Sequence, residues 1–232
     1  MNMLFVSMNR REKCLGWITL AAGILLSALF RLLDVRPALS IPVLSVLLFG
    51  AVLLVFHRFL KEALQVPFTD WRRIVRSALL GLIAAQLVTL LINDLFYFFF
   101  PRFYFYDDTG PHFVNAQREL LSAAMADAPV LTCICAVFLL PAVTELLHRG
   151  LIFTSIPIQS RAIACLVSTM LFAALRTFFL PGQYETAYVI ISFVQYIPMG
   201  IFFTWIYTAT ETIFTPILAH MVLNAVSIFT MR

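Results

Sequence analysis

Polar side chains stand at helical spacing in two apolar segments of the chain. Glu145 and Arg149 are four residues apart, and so are His220 and Asn224, so that each pair shares one face of a helix. His148 lies three residues from Glu145 and close to the same face. Ionisable groups inside an apolar segment are costly, which makes each of them a functional candidate.

The Glu-x-x-His spacing of Glu145 and His148 is also found in di-iron helix bundles. Those sites need two such motifs and further glutamates, and the sequence has no second copy. It also has neither the His-Glu-x-x-His pattern of zinc proteases nor the Gly-x-Ser-x-Gly pattern of serine hydrolases. The sequence therefore does not indicate a di-iron site, a His-Glu-x-x-His zinc protease or a Gly-x-Ser-x-Gly serine hydrolase.

Arg176, in a third apolar segment, is predicted to lie at the depth of Glu145. The two segments turn around 157–161; Glu145 lies 12 residues before this turn and Arg176 lies 15 residues after it. At a rise of about 1.5 Å per residue, these separations are roughly 18 and 22 Å of helix. We expect a buried ion pair between them, with Glu145, Arg176 and His220 facing one cavity. A polar network that only holds the helices together is the alternative, and it is the preferred interpretation for three further residues: Gln86, Asn93 and Gln195.

The composition indicates the setting of these residues. Of 232 residues, 62% are hydrophobic and 12% are charged, and the mean hydropathy is +0.94. A soluble domain has about 25% charged residues, so the composition excludes a soluble enzyme and favours a polytopic membrane protein. The net charge of +4 does not indicate nucleic-acid binding, because the basic residues stand at the ends of apolar runs, where membrane topology explains them.

Seven apolar stretches qualify or nearly qualify as membrane-spanning helices, since a bilayer core needs about 20 apolar residues whose backbone bonds are satisfied internally. They are roughly 14–33, 38–57, 74–100, 128–156, 162–180, 187–208 and 212–230. The sequence thus predicts a single all-α membrane domain over 1–232, a polytopic transmembrane helix bundle of about seven helices within a range of six to eight.

Lysines and arginines in the short loops predict the orientation. The N-terminal segment and the second loop together carry eight, against four in the first and third loops. Basic loops stay on the cytoplasmic side, so we expect a multi-pass protein of the cell membrane with a cytoplasmic N-terminus. In the long connection 101–127, the segment from Val114 to Met125 is predicted as an amphipathic helix, and Asp107 with Asp108 as a solvated turn.

Three motifs in order resemble those of one family. They lie at 145–150, 171–176 and 220–224 and read Glu-Leu-Leu-His-Arg-Gly, Leu-Phe-Ala-Ala-Leu-Arg and His-Met-Val-Leu-Asn. The pattern is similar to the CPBP intramembrane proteases, the type II CAAX prenyl endopeptidase and bacteriocin-processing family, also called Abi. The resemblance covers about 128–230, and the first hundred residues match only as generic membrane helices.

The resemblance implies an intramembrane endopeptidase site. A carboxylate and histidines would hold a water, with or without a metal such as zinc, for attack on a peptide bond. The motif positions make four residues the candidate catalytic groups: Glu145 matches the second motif glutamate, and Arg149, His220 and Asn224 match their motif counterparts. The arginine and asparagine would orient groups and stabilise the oxyanion.

Two positions depart from the family pattern. Thr144 stands where the family has its first glutamate, the general base, and a hydroxyl cannot act as a base near neutral pH. Arg176 stands at the second-motif histidine, and a guanidinium neither binds a metal nor carries a proton. Thr144, Arg176 and His148 are therefore expected to line the site without completing it, and no metal or other cofactor is expected.

Three functional hypotheses follow. The first is a CPBP-family membrane protein that has lost proteolysis and binds a peptide, a prenylated protein or another membrane protein. The second is an active, divergent endopeptidase that processes a peptide or lipidated precursor, with Glu145 as base, His148 and His220 as ligands or proton carriers, and zinc as the implied metal. The third is a small transporter or channel component with a polar relay, although no Gly/Pro-interrupted pair of helices recurs in two matching halves.

Overall fold

The structure, a computed structural model, describes residues 6, 8–65, 71–107, 110–113, 116–178 and 186–229. The helices are α1 Arg10–Leu32, α2 Pro37–Val55, α3 His57–Gln65, α4 Trp71–Phe99, α5 Ala116–Asp127, α6 Pro129–Phe153, α7 Arg161–Phe178, α8 Thr186–Thr210 and α9 Phe214–Phe229. Short 3-10 turns lie at Pro101–Phe103 and Ile158–Ser160. One antiparallel hairpin joins β1, Tyr104–Asp107, to β2, Gly110–Phe113.

Each of the seven predicted apolar stretches contains a helix, and the predicted polytopic helical bundle is confirmed. Within the described ranges, five helices are long and apolar enough to cross a membrane, namely α1, α2, α4, α6 and α8. Together with the shorter apolar helix α9 they make six apolar helices in this part of the chain, which is within the predicted range of six to eight. Helix α9 is a shorter apolar helix of 16 residues, and α7 has 18 residues with an arginine near each end. The final residues of the stretches 162–180 and 212–230 lie outside the described part of the chain.

The connection between α4 and α6 is more ordered than predicted. Helix α5 confirms the amphipathic helix expected there, although Val114 lies outside the described residues. Asp107 ends strand β1 of the hairpin, where we expected only a solvated turn, and Asp108 lies outside the described residues. Thus a strand pairing, which the sequence pattern did not indicate, precedes the predicted helix.

A nine-residue helix, α3, occupies the second loop, where no helix was predicted. Phe59 and Ala63 are buried on one side of it, whereas Arg58 and Lys61 are exposed on the other. The buried carboxylate of Glu12 accepts the backbone N–H of Phe59 at 3.0 Å. The same carboxylate belongs to the capping box of α1, so a single side chain connects the first turns of α1 and α3.

Helices α6 and α8 form the centre of the bundle. In α6, 56% of the apolar window is buried inside the protein, and in α8 44%, against 11% in α4. Helix α4 packs on α8 through Gly81 and Ala85, small residues four apart that are typical of close helix contacts in membranes. A Cβ at position 81 would overlap the ring of Phe202 on α8. Glycine therefore sets the distance between these two helices.

Helix α6 is not regular along its length. Residues Cys135–Leu139 and Leu146–Phe153 are π-helical, and the α-helical segment Leu140–Glu145 lies between them. Such π-helical insertions occur frequently at functional sites and shift the direction of the side chains that follow. The directions of the Glu145 and His148 side chains therefore do not follow from an ideal period of 3.6 residues per turn.

Candidate functional site

Helices α6, α7 and α9 bring Glu145, Arg176 and His220 together, as the spacing and depth argument predicted. Oε1 of Glu145 lies 2.7 Å from Nδ1 of His220, and Nη2 of Arg176 lies 2.9 Å from Nε2 of the same ring. Glu145 and His220 are buried, and Arg176 is half-buried. The three side chains form a continuous line with the imidazole in the middle.

The partners of His220 determine the position of its hydrogen. A guanidinium only donates hydrogen bonds, so Arg176 must donate to Nε2, which then carries a lone pair. The ring hydrogen is left on Nδ1, from which it is donated to the carboxylate of Glu145. His220 is therefore a neutral imidazole, and the expected pairing of Arg176 with Glu145 is relayed through this ring.

Arg149 is paired with Glu145, as the four-residue spacing predicted. Its Nη1 lies 3.2 Å from Oε2 of Glu145, and both side chains are fully buried. Its Nη2 donates to the backbone carbonyl of Gly200 on α8 at 2.7 Å. The arginine consequently connects the carboxylate to the central helix α8, and a purely catalytic role would not require this backbone contact.

Two phenylalanines enclose the charged groups. The ring of Phe203 stacks on His220 with 4.6 Å between centroids, and Phe172 presents its ring edge-on to His148 at 5.5 Å. The guanidinium of Arg149 lies 5.0 Å above Phe172 and 5.5 Å from the centroid of Phe203. Apolar aromatic walls strengthen the electrostatic interactions that they surround. Phe172 is the phenylalanine of the second motif, whereas no sequence signal singled out Phe203.

His148 lies next to the row of Glu145, His220 and Arg176 but is not part of it. It is buried, and its Nδ1 lies 2.7 Å from the carbonyl oxygen of Thr144, so that this nitrogen donates. Among the described residues, Nε2 of His148 has no hydrogen-bond partner. Thr144 itself is half-buried one helical turn earlier on α6. Both residues thus lie close to Glu145 along α6, and their role in lining a site stays a prediction.

Asn224 contacts a different part of α6. Its Nδ2 donates to the backbone carbonyl of Ala136 at 2.8 Å, and the side chain is half-buried. Ala136 belongs to the first π-helical stretch, nine residues before Glu145. The structure therefore places Asn224 on the same helix as His220 but assigns its amide group to the backbone of α6.

The donor set of this site does not fit a metal ion. Nδ1 of His220 is directed at Glu145, Nε2 accepts from Arg176, and the second carboxylate oxygen faces Arg149. Two guanidinium groups beside the histidine and the carboxylate repel a divalent cation. A catalytic zinc ion, moreover, needs three protein ligands. Within the described ranges, no group of three or more His, Cys, Asp or Glu residues that could hold a metal occurs.

A second polar cluster joins α4, α8 and the hairpin. Nε2 of Gln195 donates to Oδ1 of Asn93 at 2.5 Å, and the hydroxyl of Tyr104 donates to the carbonyl of Asn93 at 3.0 Å. Burial raises the pKa of Tyr104 to about 12, so that this hydroxyl stays protonated at neutral pH. Asn93 and Gln195 thus make the interhelical contact interpreted from sequence, whereas Gln86 is exposed on α4.

Comparison with known proteins bears on this part of the chain. The family model described as type II CAAX prenyl endopeptidase Rce1-like matches residues 126–226. This region contains α6, α7, α8 and most of α9, and with them every residue of the charged site. The match confirms the resemblance that the three motifs indicate. No curated protein and no solved structure matches the chain.

Proposed function

We propose that this chain is a CPBP-family membrane protein with a non-catalytic site, because residues 126–226 match the family model of the Rce1-like type II CAAX prenyl endopeptidases. It acts by binding a peptide, a prenylated protein or another membrane protein within the bilayer. The charge distribution of the loops supports a multi-pass topology in the cell membrane with the N-terminus in the cytoplasm.

The contact between Arg176 and His220 is the observation that carries this proposal. A hydrolytic histidine needs a ring nitrogen for the attacking water or for a metal, and Nε2 of His220 accepts from the guanidinium at 2.9 Å. Arginine stays protonated and cannot replace the motif histidine as a proton carrier. Thr144 likewise cannot replace the family's glutamate base. The chain therefore lacks the family's glutamate base and its second-motif histidine. The remaining motif histidine, His220, is hydrogen-bonded to Arg176.

The remaining charges suit binding. Arg176 is half-buried, whereas Glu145 and Arg149 are fully buried. A fixed cation in an apolar environment stabilises a carboxylate or a polarised carbonyl without further rearrangement. Arg176 is therefore the residue through which we expect a bound peptide to be recognised.

An active, divergent endopeptidase is the second candidate, and the pair of Glu145 and His220 favours it. A carboxylate that orients a buried imidazole at 2.7 Å is an arrangement used in general-base catalysis. In this alternative, Glu145 serves as base, and His148 and His220 carry protons or bind zinc. Arg176 would have to leave Nε2 of His220 before water or a metal could reach it.

The deciding experiment is a cleavage assay on the purified protein in nanodiscs. A peptide library that includes prenylated peptides is incubated with the parent and with Glu145→Ala and His220→Ala, and His57→Ala serves as the exposed-histidine control. We expect no cleavage above the level of the Glu145→Ala and His220→Ala variants. Cleavage by the parent and the His57→Ala control that both site variants abolish would overturn the proposal and establish the second candidate.

Binding is measured with the same prenylated peptides carrying a fluorescent label. We expect saturable binding to the parent and at least about tenfold weaker binding to Arg176→Gln, which corresponds to about 1.4 kcal/mol. The control Arg58→Gln removes an exposed arginine far from the site in sequence and should bind like the parent. Equal binding by Arg176→Gln and the parent would show that Arg176 does not recognise the peptide.

A further inference from the structure

The first π-helical stretch of α6 leaves one backbone carbonyl without a helical donor. The N–H of Leu140 bonds to the carbonyl of Cys135, five residues back rather than four. The next residue is Pro141, which has no N–H to offer. The carbonyl of Ala136 therefore receives no hydrogen bond from either residue that could supply one in a π-helix or an α-helix.

The side chain of Asn224 fills this role from the neighbouring helix. Its Nδ2 lies 2.8 Å from the carbonyl oxygen of Ala136, a residue that is only 3% exposed. A buried carbonyl without a donor is strongly unfavourable inside a membrane protein, because no bulk water can replace the lost bond. The asparagine thus allows α6 to keep its π-helical stretch followed directly by a proline.

We propose that Asn224 is a positioning residue that supplies the hydrogen bond missing at Pro141 and thereby holds Glu145 in line with His220. Helix α9 contacts α6 through Asn224 at Ala136 and, one turn earlier, through His220 at Glu145. The two contacts fix the rotation of the α6 segment between them. This role differs from the oxyanion stabilisation that the family resemblance implies for this position.

The rotation matters because Glu145 has little freedom to adjust. A change of one residue in helical phase turns a side chain by about 100°, which would carry the carboxylate away from Nδ1 of His220. The presence of the π-helical stretch sets this phase, and the stretch persists only if the Ala136 carbonyl is satisfied. Asn224 therefore acts on the site through the backbone of α6 and not by touching a bound peptide.

The test reads the hydrogen bond between His220 and Glu145 directly. The chain has four histidines, so protein labelled with ¹⁵N-histidine in detergent micelles gives a simple spectrum, in which the Nδ1–H proton is assigned by its loss in His220→Gln. We expect this proton to be downfield and slow to exchange in the parent. It should be lost in Asn224→Leu and restored in the double variant Asn224→Leu with Pro141→Ala, because alanine supplies the missing N–H.

Val226→Ala, an exposed position on the same helix, is the matched control and should leave the signal unchanged. An unchanged signal in Asn224→Leu would overturn the proposal, and so would a signal lost equally in the double variant. If Asn224→Leu does not fold, a double variant that folds with the signal supports the proposal, and one that does not fold overturns it. The inference rests on the site of the proposed function, but its readout needs neither ligand nor cleavage, so the two can fail separately.

Discussion

At the scale of single residues, the pair of Glu145 and Arg149 has a clear energetic consequence. Both side chains are fully buried, so Arg149 depends on the carboxylate for neutralisation. Removing one member of a buried ion pair costs about 3–5 kcal/mol, whereas replacing both members by neutral groups of similar volume is often tolerated. This asymmetry distinguishes a structural carboxylate from one that serves only chemistry.

We expect Glu145→Ala to lower the free energy of unfolding by about 3–5 kcal/mol, because it leaves Arg149 charged and buried without its partner. The double variant Glu145→Gln with Arg149→Met should recover most of this loss. Thermal unfolding in detergent measures both. The control is Glu62→Ala, which breaks an exposed pair of the same four-residue spacing with Arg58, and it should not change stability measurably. Parental stability of Glu145→Ala would rule out the structural ion pair and favour the enzymatic alternative.

Arg176 donates to the ring nitrogen of His220 that a metal would need. Arg176→His removes the cation that donates to Nε2 of His220 and adds a second imidazole at the same position. Because zinc prefers neutral imidazole and carboxylate ligands, we expect this variant to retain more zinc than the parent when both are analysed by mass spectrometry. Arg176→Gln, which removes the cation without adding an imidazole, is the control. Stoichiometric zinc in the parent, lost in His220→Ala, would contradict this account of Arg176.

At the scale of the elements, a glycine sets the contact between α4 and α8. Gly81→Ala would push a methyl group into Phe202, so we expect a loss of about 1–3 kcal/mol as the helices move apart. Denaturation by SDS in mixed micelles measures the loss. Gly50→Ala is the matched control, since a Cβ at this position meets nothing within 4 Å. A stability of Gly81→Ala equal to that of the control would show that α4 is not closely packed on α8.

The carboxylate of Glu12 connects α1 and α3. It accepts the N–H of Asn9 at 2.9 Å and that of Phe59 at 3.0 Å. Glu12→Ala should therefore cost about 1–3 kcal/mol and accelerate amide hydrogen exchange at both positions. Hydrogen exchange with mass spectrometry reports each segment separately, and Lys61→Ala on the exposed side of α3 is the control. Faster exchange in α1 alone would indicate that the contact with α3 contributes nothing.

At the scale of the whole molecule, the bundle has a polar, buried centre and an apolar exterior. Exposed leucines, isoleucines and phenylalanines cover α4, of whose apolar window only 11% is buried inside the protein. Such a surface suits the hydrocarbon region of a bilayer, and the charged pair of the site, Glu145 and Arg149, is buried in the interior. The same packing of helices therefore exposes apolar side chains to the bilayer and buries the charged pair of the site.

The proposed topology is tested by cysteine labelling. In a variant whose four native cysteines are replaced by alanine, Lys61→Cys on α3 should react with a membrane-impermeant maleimide only after the cells are opened. Glu119→Cys on α5 should react in intact cells, because this exposed residue follows the connection assigned to the outside. Each variant serves as the control for the other. The reverse pattern would show that the N-terminus is outside.

The sequence by itself determined the helical bundle and the residues that meet in it. Long apolar stretches specify membrane helices because the bilayer offers no partner for backbone groups. The four-residue spacing of Glu145 with Arg149, together with the matched depth of Arg176, was sufficient to predict that these side chains share one buried region. Three motifs indicated a resemblance to the family whose model matches residues 126–226.

Only the tertiary structure decided which atoms pair. Spacing along one helix cannot say that Arg176 reaches Glu145 through Nε2 and Nδ1 of His220, because this depends on how α7 and α9 cross α6. Nor can it place Asn224 on Ala136, since the π-helical stretch before Pro141 shifts the free carbonyl away from its α-helical position. Helix α3 and the hairpin were missed because both are short segments that are stabilised by contacts with distant residues, α3 with Glu12 and the hairpin with Asn93.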